Sequence, residues 1–273
     1  MKSPLSSISG SAPSSEKKST FQRTPLLAGN WKMYKTVQEA QALASDLKVL
    51  AAGVLDREIL LCPPSVNLTK VSEAIRGTSI QLGAQNLHWE AEGAFTGELS
   101  GPMLKAAGCT YVIIGHSERR QYFGETDETV NKKVSAALKA GLLPIVCVGE
   151  TLAEREKNVH LTVVERQIRQ GVPALSKEDF LKIVVAYEPV WAIGTGKTAT
   201  PGQAQEMHKF IRQTLSDIFG GDLAEKTRIL YGGSVKPDNI DMLMAEPDID
   251  GGLVGGASLK AADFSRIVKY ETS

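Results

Sequence analysis

Eight short apolar runs recur along the sequence, and they constrain its fold more than any other feature. They are Pro25 to Gly29, Ile59 to Cys62, Ile80 to Ala84, Tyr111 to Gly115, Pro144 to Val148, Ile183 to Tyr187, Thr227 to Tyr231 and Gly251 to Val254. Runs that are apolar throughout suit strands covered on both faces, whereas a half-exposed strand alternates. Helical spacing fills the intervals: Ala40, Leu43, Leu47, Leu50; Leu68, Val71, Ala74; Val130, Val134, Ala137, Leu138; Leu161, Val164, Ile168, Val172; and Ala204, Met207, Ile211, Leu215, Ile218. A last helix is predicted over roughly residues 261–268. Strands that alternate with helices form a parallel sheet. Eight such units in a chain of 273 residues predict an α/β fold, a closed barrel of eight parallel strands with outer helices. Such barrels occupy about 250 residues as one domain.

The first residues do not fit this pattern. Residues 1–23 are rich in serine, poor in large apolar side chains and contain one acid, Glu16. They lack the apolar segment of a secretory signal. A disordered extension is the expectation, with an organellar transit peptide as the alternative. Residues 24–273 are assigned to the barrel.

Composition narrows the partners. Lys plus Arg and Asp plus Glu are balanced at 31 each, and no basic block appears, which argues against a nucleic-acid binder. No apolar run approaches the ~18 residues of a membrane span. Cys62, Cys109 and Cys147 are odd in number and far apart, so neither a disulfide framework nor a zinc site is expected. Buried, reduced thiols in a cytoplasmic compartment are the expected state.

Polar residues follow the apolar runs and do not precede them. Asn30 and Lys32, Gln85 and Asn86, His116, Glu188, Ser234, and Gly255-Gly256 all stand at the carboxyl ends of predicted strands. In a parallel barrel these ends share one mouth. Glu188 ends the sixth run and is followed by Pro189, a loop rich in small residues and Thr200-Pro201-Gly202-Gln203. That last segment is a capping box with proline at the first helical position. A base followed by a hinged lid is the reading, with hinges at Pro189-Val190-Trp191 and Lys197-Thr198-Ala199. The lid imitates two nucleotide motifs. Gly194-Thr195-Gly196-Lys197-Thr198-Ala199 fits a dinucleotide fingerprint but lies six residues beyond Glu188, where that fingerprint should directly open a helix. A phosphate loop ending in Gly196-Lys197-Thr198 would need glycine where Trp191 stands. The clusters Gly232-Gly233-Ser234 and Gly255-Gly256-Ala257 are better phosphate candidates. Glycine lets backbone N–H groups approach the anion, and the seventh and eighth strands often carry such sites.

Ala28-Gly29-Asn30-Trp31-Lys32, Ile114 to Arg120, Tyr187 to Thr200, Tyr231-Gly232-Gly233-Ser234-Val235 and Leu253 to Leu259 together resemble the triosephosphate isomerase family. The resemblance covers about residues 24–270, and the long leader departs from it. It implies a TIM barrel that interconverts dihydroxyacetone phosphate and D-glyceraldehyde 3-phosphate through an enediolate, without metal or cofactor. It also implies the roles: Glu188 as base, with burial raising its basicity, and His116 as a neutral hydrogen-bond donor. Lys32 and Asn30 face the substrate oxygens, and Glu118 pairs with the lysine or shuttles protons. Gly194, Ser234, Gly255 and Gly256 hold the phosphate together with Asn30 and Lys32, and Leu253 presses on the base. The loop Gly93 to Glu98 resembles one that enters a partner's active site, which implies a homodimer with Thr96 near Asn30 and Lys32 of the partner subunit. Another phosphosugar isomerase or epimerase, or a non-catalytic phosphosugar-binding barrel, remains the alternative.

Overall fold

The computed structural model describes residues 23–192 and 199–272. The expected extension therefore lies outside the described residues, apart from Arg23, which is corrected to the barrel: its guanidinium donates to Asp250 Oδ1 at 2.6 Å and to the carbonyls of Glu225 and Pro247 at 2.9 and 3.0 Å. From Leu26–Asn30 (β1) the chain runs through Val37–Leu50 (α1), Glu58–Cys62 (β2), Leu68–Ala74 (α2), Gln81–Ala84 (β3) and Gly101–Ala106 (α3). Tyr111–Ile114 (β4), Ser117–Tyr122 (α4), Asp127–Lys139 (α5), Leu143–Val148 (β5), Leu152–Glu156 (α6) and His160–Gly171 (α7) follow. Lys177–Phe180 (α8), Val184–Tyr187 (β6), Pro201–Phe219 (α9), Gly221–Lys226 (α10), Arg228–Tyr231 (β7), Ile240–Met244 (α11), Gly251–Val254 (β8) and Ala261–Val268 (α12) complete it. The strands pair in parallel in sequence order, and β8 closes on β1. All eight apolar runs are strands. No helix among the described residues is long and apolar enough to cross a membrane.

Side chains divide by strand parity into two cores. Leu26, Ala28, Leu60, Cys62, Ile113, Ile145, Cys147, Val184, Ala186, Leu230 and Leu253 fill the barrel interior. Leu27, Leu61, Val112, Val146, Val185 and Ile229 face outward against the helices. Successive strand residues point to opposite faces. Continuing the inward set of β6, Val184 and Ala186, brings Glu188 over the interior at the mouth. The same parity carries Leu26 and Ala28 to Asn30. In β4 the parity is broken by Gly115, whose φ of +73° suits a residue without a Cβ. The chain turns there and His116 faces the mouth.

The helical stripes differ from the expected ones at their ends. Leu50 in α1 is 39% exposed, and α7 buries Val163, Val164, Gln167 and Ile168 with Leu161 exposed. The capping box of α9 forms as read: Gln203 N–H donates to Thr200 Oγ1 at 3.2 Å, and Gln203 Oε1 accepts Thr200 N–H at 3.0 Å.

His208 on α9 is fully buried beside Tyr187. Its Nδ1 donates to the Asp248 carbonyl at 3.1 Å, since a carbonyl can only accept. Burial, with the nearby Arg212 charge, pushes its pKa down from 6.5 to about 4. Between those values the unfolded chain holds a proton that the folded chain does not. Stability should therefore fall as the pH drops from 6.5 toward 4, by up to about 3 kcal/mol. Thermal melts over this range measure the loss, and His208→Gln should flatten it. An unchanged slope in that variant would assign the effect to other groups.

Candidate active site

Asn30 and Lys32 after β1, His116 after β4, Glu188 after β6, Ser234 after β7, and Gly255 and Gly256 after β8 surround one cavity of about 280 Å³. Leu253 lines it too. Gly194 and the first two residues of the second hinge, Lys197 and Thr198, lie outside the described residues, and its last, Ala199, is buried.

Glu188 and His116 form the centre. Glu188 is 2% exposed and His116 6%, which removes most of the water that would otherwise weaken their interaction. His116 caps α4, and its Nδ1 accepts the Glu118 N–H at 3.2 Å. That lone pair belongs to a neutral ring, so Nε2 carries the proton and meets Glu188 Oε1 at 2.9 Å. Burial disfavours the charged ring, but the Glu188 carboxylate outweighs it and draws the His116 pKa up. The sequence reading that burial raises the basicity of Glu188 is corrected here. Burial does act in that direction, but His116 and the Ser117 N–H, which donates to Oε2 at 2.9 Å, outweigh it. The carboxyl pKa lies below its ordinary value, because donors to the charged form stabilise it.

Lys32 holds a left-handed backbone, φ +52°, which costs a residue with a Cβ about 1–2 kcal/mol. Its N–H donates to Asn30 Oδ1 at 3.1 Å, and its carbonyl accepts Gln85 Nε2 at 2.9 Å. The ammonium pairs with Glu118. Glu118 stands behind Lys32 and lines a neighbouring groove of about 520 Å³. Asn86 turns away to accept from Lys133 at 2.8 Å. Among the described residues no group of three or more His, Cys, Asp or Glu is placed to hold a metal ion.

Two supports, Ser117 and Glu150, were not legible beforehand, and a third, Gln85, was read only as a polar residue at a strand end. Ser117 acts through its backbone, which no residue type advertises. Gln85 binds the carbonyls of Lys32 and Cys62. Glu150, wholly buried, accepts from Tyr187 Oη at 3.1 Å and from Trp191 Nε1 at 2.9 Å, and so ties the first hinge to β5. A buried acid directly after the fifth run was the one available signal for it.

An eight-stranded parallel barrel with a buried carboxylate–imidazole pair, a lysine and glycine turns around one mouth defines a (β/α)8-barrel enzyme equipped for proton transfer. Residues 25–271 match the family model described as triosephosphate isomerase. The triosephosphate isomerase of Endomicrobium trichonymphae is 60% identical over 248 residues, 91% of this chain and 99% of that protein. That of Caldanaerobacter subterraneus subsp. tengcongensis is 58% identical over 91% of this chain and its own full length, 100%. A crystal structure of triosephosphate isomerase from Bartonella henselae is 43% identical, with a TM-score of 0.80 over 89% of this chain and 97% of that one. The chain belongs to the triosephosphate isomerase family.

Proposed function

We propose that the mouth cavity interconverts dihydroxyacetone phosphate and D-glyceraldehyde 3-phosphate, with Glu188 as the base. The observation that carries this reading is the buried Glu188 carboxylate 2.9 Å from His116 Nε2, above an apolar barrel interior. Glu188 takes a proton from the carbon beside the carbonyl and returns it to the neighbouring carbon. His116 donates its Nε2 proton to the carbonyl oxygen as the enediolate forms. It then recovers a proton from the adjacent hydroxyl, so the ring ends neutral. Lys32 and Asn30 stabilise the negative charge on the oxygens. Both Glu188 oxygens are engaged, Oε1 by His116 Nε2 and Oε2 by the Ser117 N–H. Substrate must therefore exchange the His116 contact for its own oxygen, and the Glu188 pKa moves up toward its ordinary range as that donor turns away.

Ser234, Gly255 and Gly256, together with Gly194 on the lid, are the proposed phosphate contacts. Glu118 pairs with the Lys32 ammonium and so positions it. A coupled assay with the full chain and D-glyceraldehyde 3-phosphate, with no metal added, should show isomerisation. Turnover that depends on added metal, or phosphosugar binding without turnover, would favour the epimerase and non-catalytic alternatives respectively.

The same reading takes the chain to be a cytoplasmic homodimer in glycolysis and gluconeogenesis, with the barrel domain beginning at Arg23 and the residues before it as an extension. Met33, 93% exposed, and Phe123, 68% exposed, flank the groove of about 520 Å³ beside Lys32. Phe95, on the loop from Gly93 to Glu98, is 43% exposed and suits such a groove. Exposed apolar side chains around a groove mark interaction surfaces. An organellar location for a tagged full-length chain would remove the cytoplasmic assignment.

A further inference from the structure

We infer that Gln167 is a positioning residue for Glu188, acting through the backbone of Gly149. The inference rests on Glu188 being the base. The ladder between β5 and β6 ends with Val148 opposite Tyr187, and Glu188 N–H donates to the Val148 carbonyl at 2.8 Å. Gly149 lies just past that end, against the Glu188 backbone. A Cβ on Gly149 would stand 1.8 Å from the Glu188 carbonyl oxygen and 2.7 Å from its carbon. Only glycine permits that approach.

The side chain of Gln167 provides what the ladder no longer does. Gly149 N–H donates to Gln167 Oε1 at 2.7 Å, and Gln167 Nε2 donates to the Gly149 carbonyl at 3.1 Å. Gln167 comes from α7 and is 5% exposed, so its amide is shielded from competing water. One side-chain amide thus pairs both backbone groups of the residue that bears on Glu188. On the opposite flank Gly232 N–H donates to the Tyr187 carbonyl at 2.7 Å. A Cβ on Gly232 would come within 2.9 Å of Glu188 Cγ. Glu188 therefore occupies a slot with bare backbone on both sides. Within it the side chain can adjust to substrate while the main chain stays fixed. β7 fixes one wall through the ladder, and Gln167 fixes the other through α7.

The test compares kcat and KM for the full-length protein and two variants. Gln167→Leu keeps the approximate volume and removes both hydrogen bonds. We expect kcat to fall by about 10- to 100-fold with KM within about threefold, because a base misplaced by a fraction of an ångström loses rate and leaves the phosphate grip intact. Gln167→Glu keeps the acceptor for Gly149 N–H and opposes the Gly149 carbonyl with a second oxygen. Protonation turns that oxygen back into a donor, and burial brings the carboxyl pKa toward neutrality. The ratio of variant to native kcat should then rise at least about threefold as the pH falls from 8 to 6. If kcat stays native in Gln167→Leu and only the melting temperature drops, Gln167 is a packing residue and the inference fails. If Gln167→Leu does not fold, the Gln167→Glu ratio decides alone: a rise supports the inference and a flat ratio overturns it. Glu188→Gln in the same assay separates the two levels. Native turnover there would remove the base assignment, whereas its loss beside unaffected Gln167 variants would remove only the role of Gln167.

Discussion

Glu188→Asp should lower kcat by about 10²- to 10³-fold while KM changes by less than about threefold. Removing one methylene draws the carboxylate back by about 1.5 Å. A displacement of about 1 Å at a reacting group costs on the order of 10²-fold. The backbone cannot follow to compensate. Glu188 N–H is bonded to β5, and the bare main chains at Gly149 and Gly232 already abut it. The proposed phosphate contacts at Ser234, Gly255 and Gly256 lie on other strands and do not depend on the length of this side chain. A loss confined to kcat is therefore the signature of a base. Turnover near the native rate would end the assignment of Glu188 as base, and a loss confined to KM would make it a binding residue.

If the chain forms the proposed homodimer, Thr96→Arg should leave it monomeric at micromolar concentration and lower kcat by about 10²-fold. The segment after β1 motivates this expectation. Lys32 and Lys35 both hold left-handed backbone, with φ of +52° and +77°. Met33 and Tyr34 between them are exposed. Within the chain this segment is held by Asn30, Gln85 and Asn67, the last donating to the Lys35 carbonyl at 2.9 Å. Backbone of this kind persists where its surroundings over-determine it. A loop from the partner over Met33 and Tyr34 would complete those surroundings. An arginine on that loop would stand beside Lys32 of the partner subunit, and like charges at an interface oppose association. Sedimentation reads the assembly and the coupled assay reads the rate. A native protein that sediments as a monomer would remove the dimer, and a Thr96→Arg dimer with native turnover would remove the loop from the interface.

Short elements account for most of what the sequence concealed in the fold. The helices α3, α6, α8 and α10 have four to six residues, too few for a period of 3.6 to declare itself. Strand limits moved by about one residue, because pairing partners rather than residue types end a ladder. In α7 the polar Gln167 sits among Val163, Val164 and Ile168 on the buried face. A polar residue on an apolar stripe is legible as an anomaly, but its partner Gly149, 18 residues away, is not. Lys32 alone reads as a solvated lysine. Its pairing with Glu118 needs β1 and β4 to end at the same mouth.

The order of eight continuous apolar runs determined the architecture, because hydrophobic period and strand burial are local properties that residue types encode. Strand parity then fixed which residues face inward, and this carried Asn30 and Glu188 to the mouth. The protonation state of the site was decided only by tertiary structure. Burial alone would raise the Glu188 pKa, yet the His116 ring and the Ser117 N–H approach it from another strand's end and reverse the sign. A pKa is the balance of desolvation against specific donors, and those donors are set by which chain ends the closed barrel brings within 3 Å, not by neighbours in sequence.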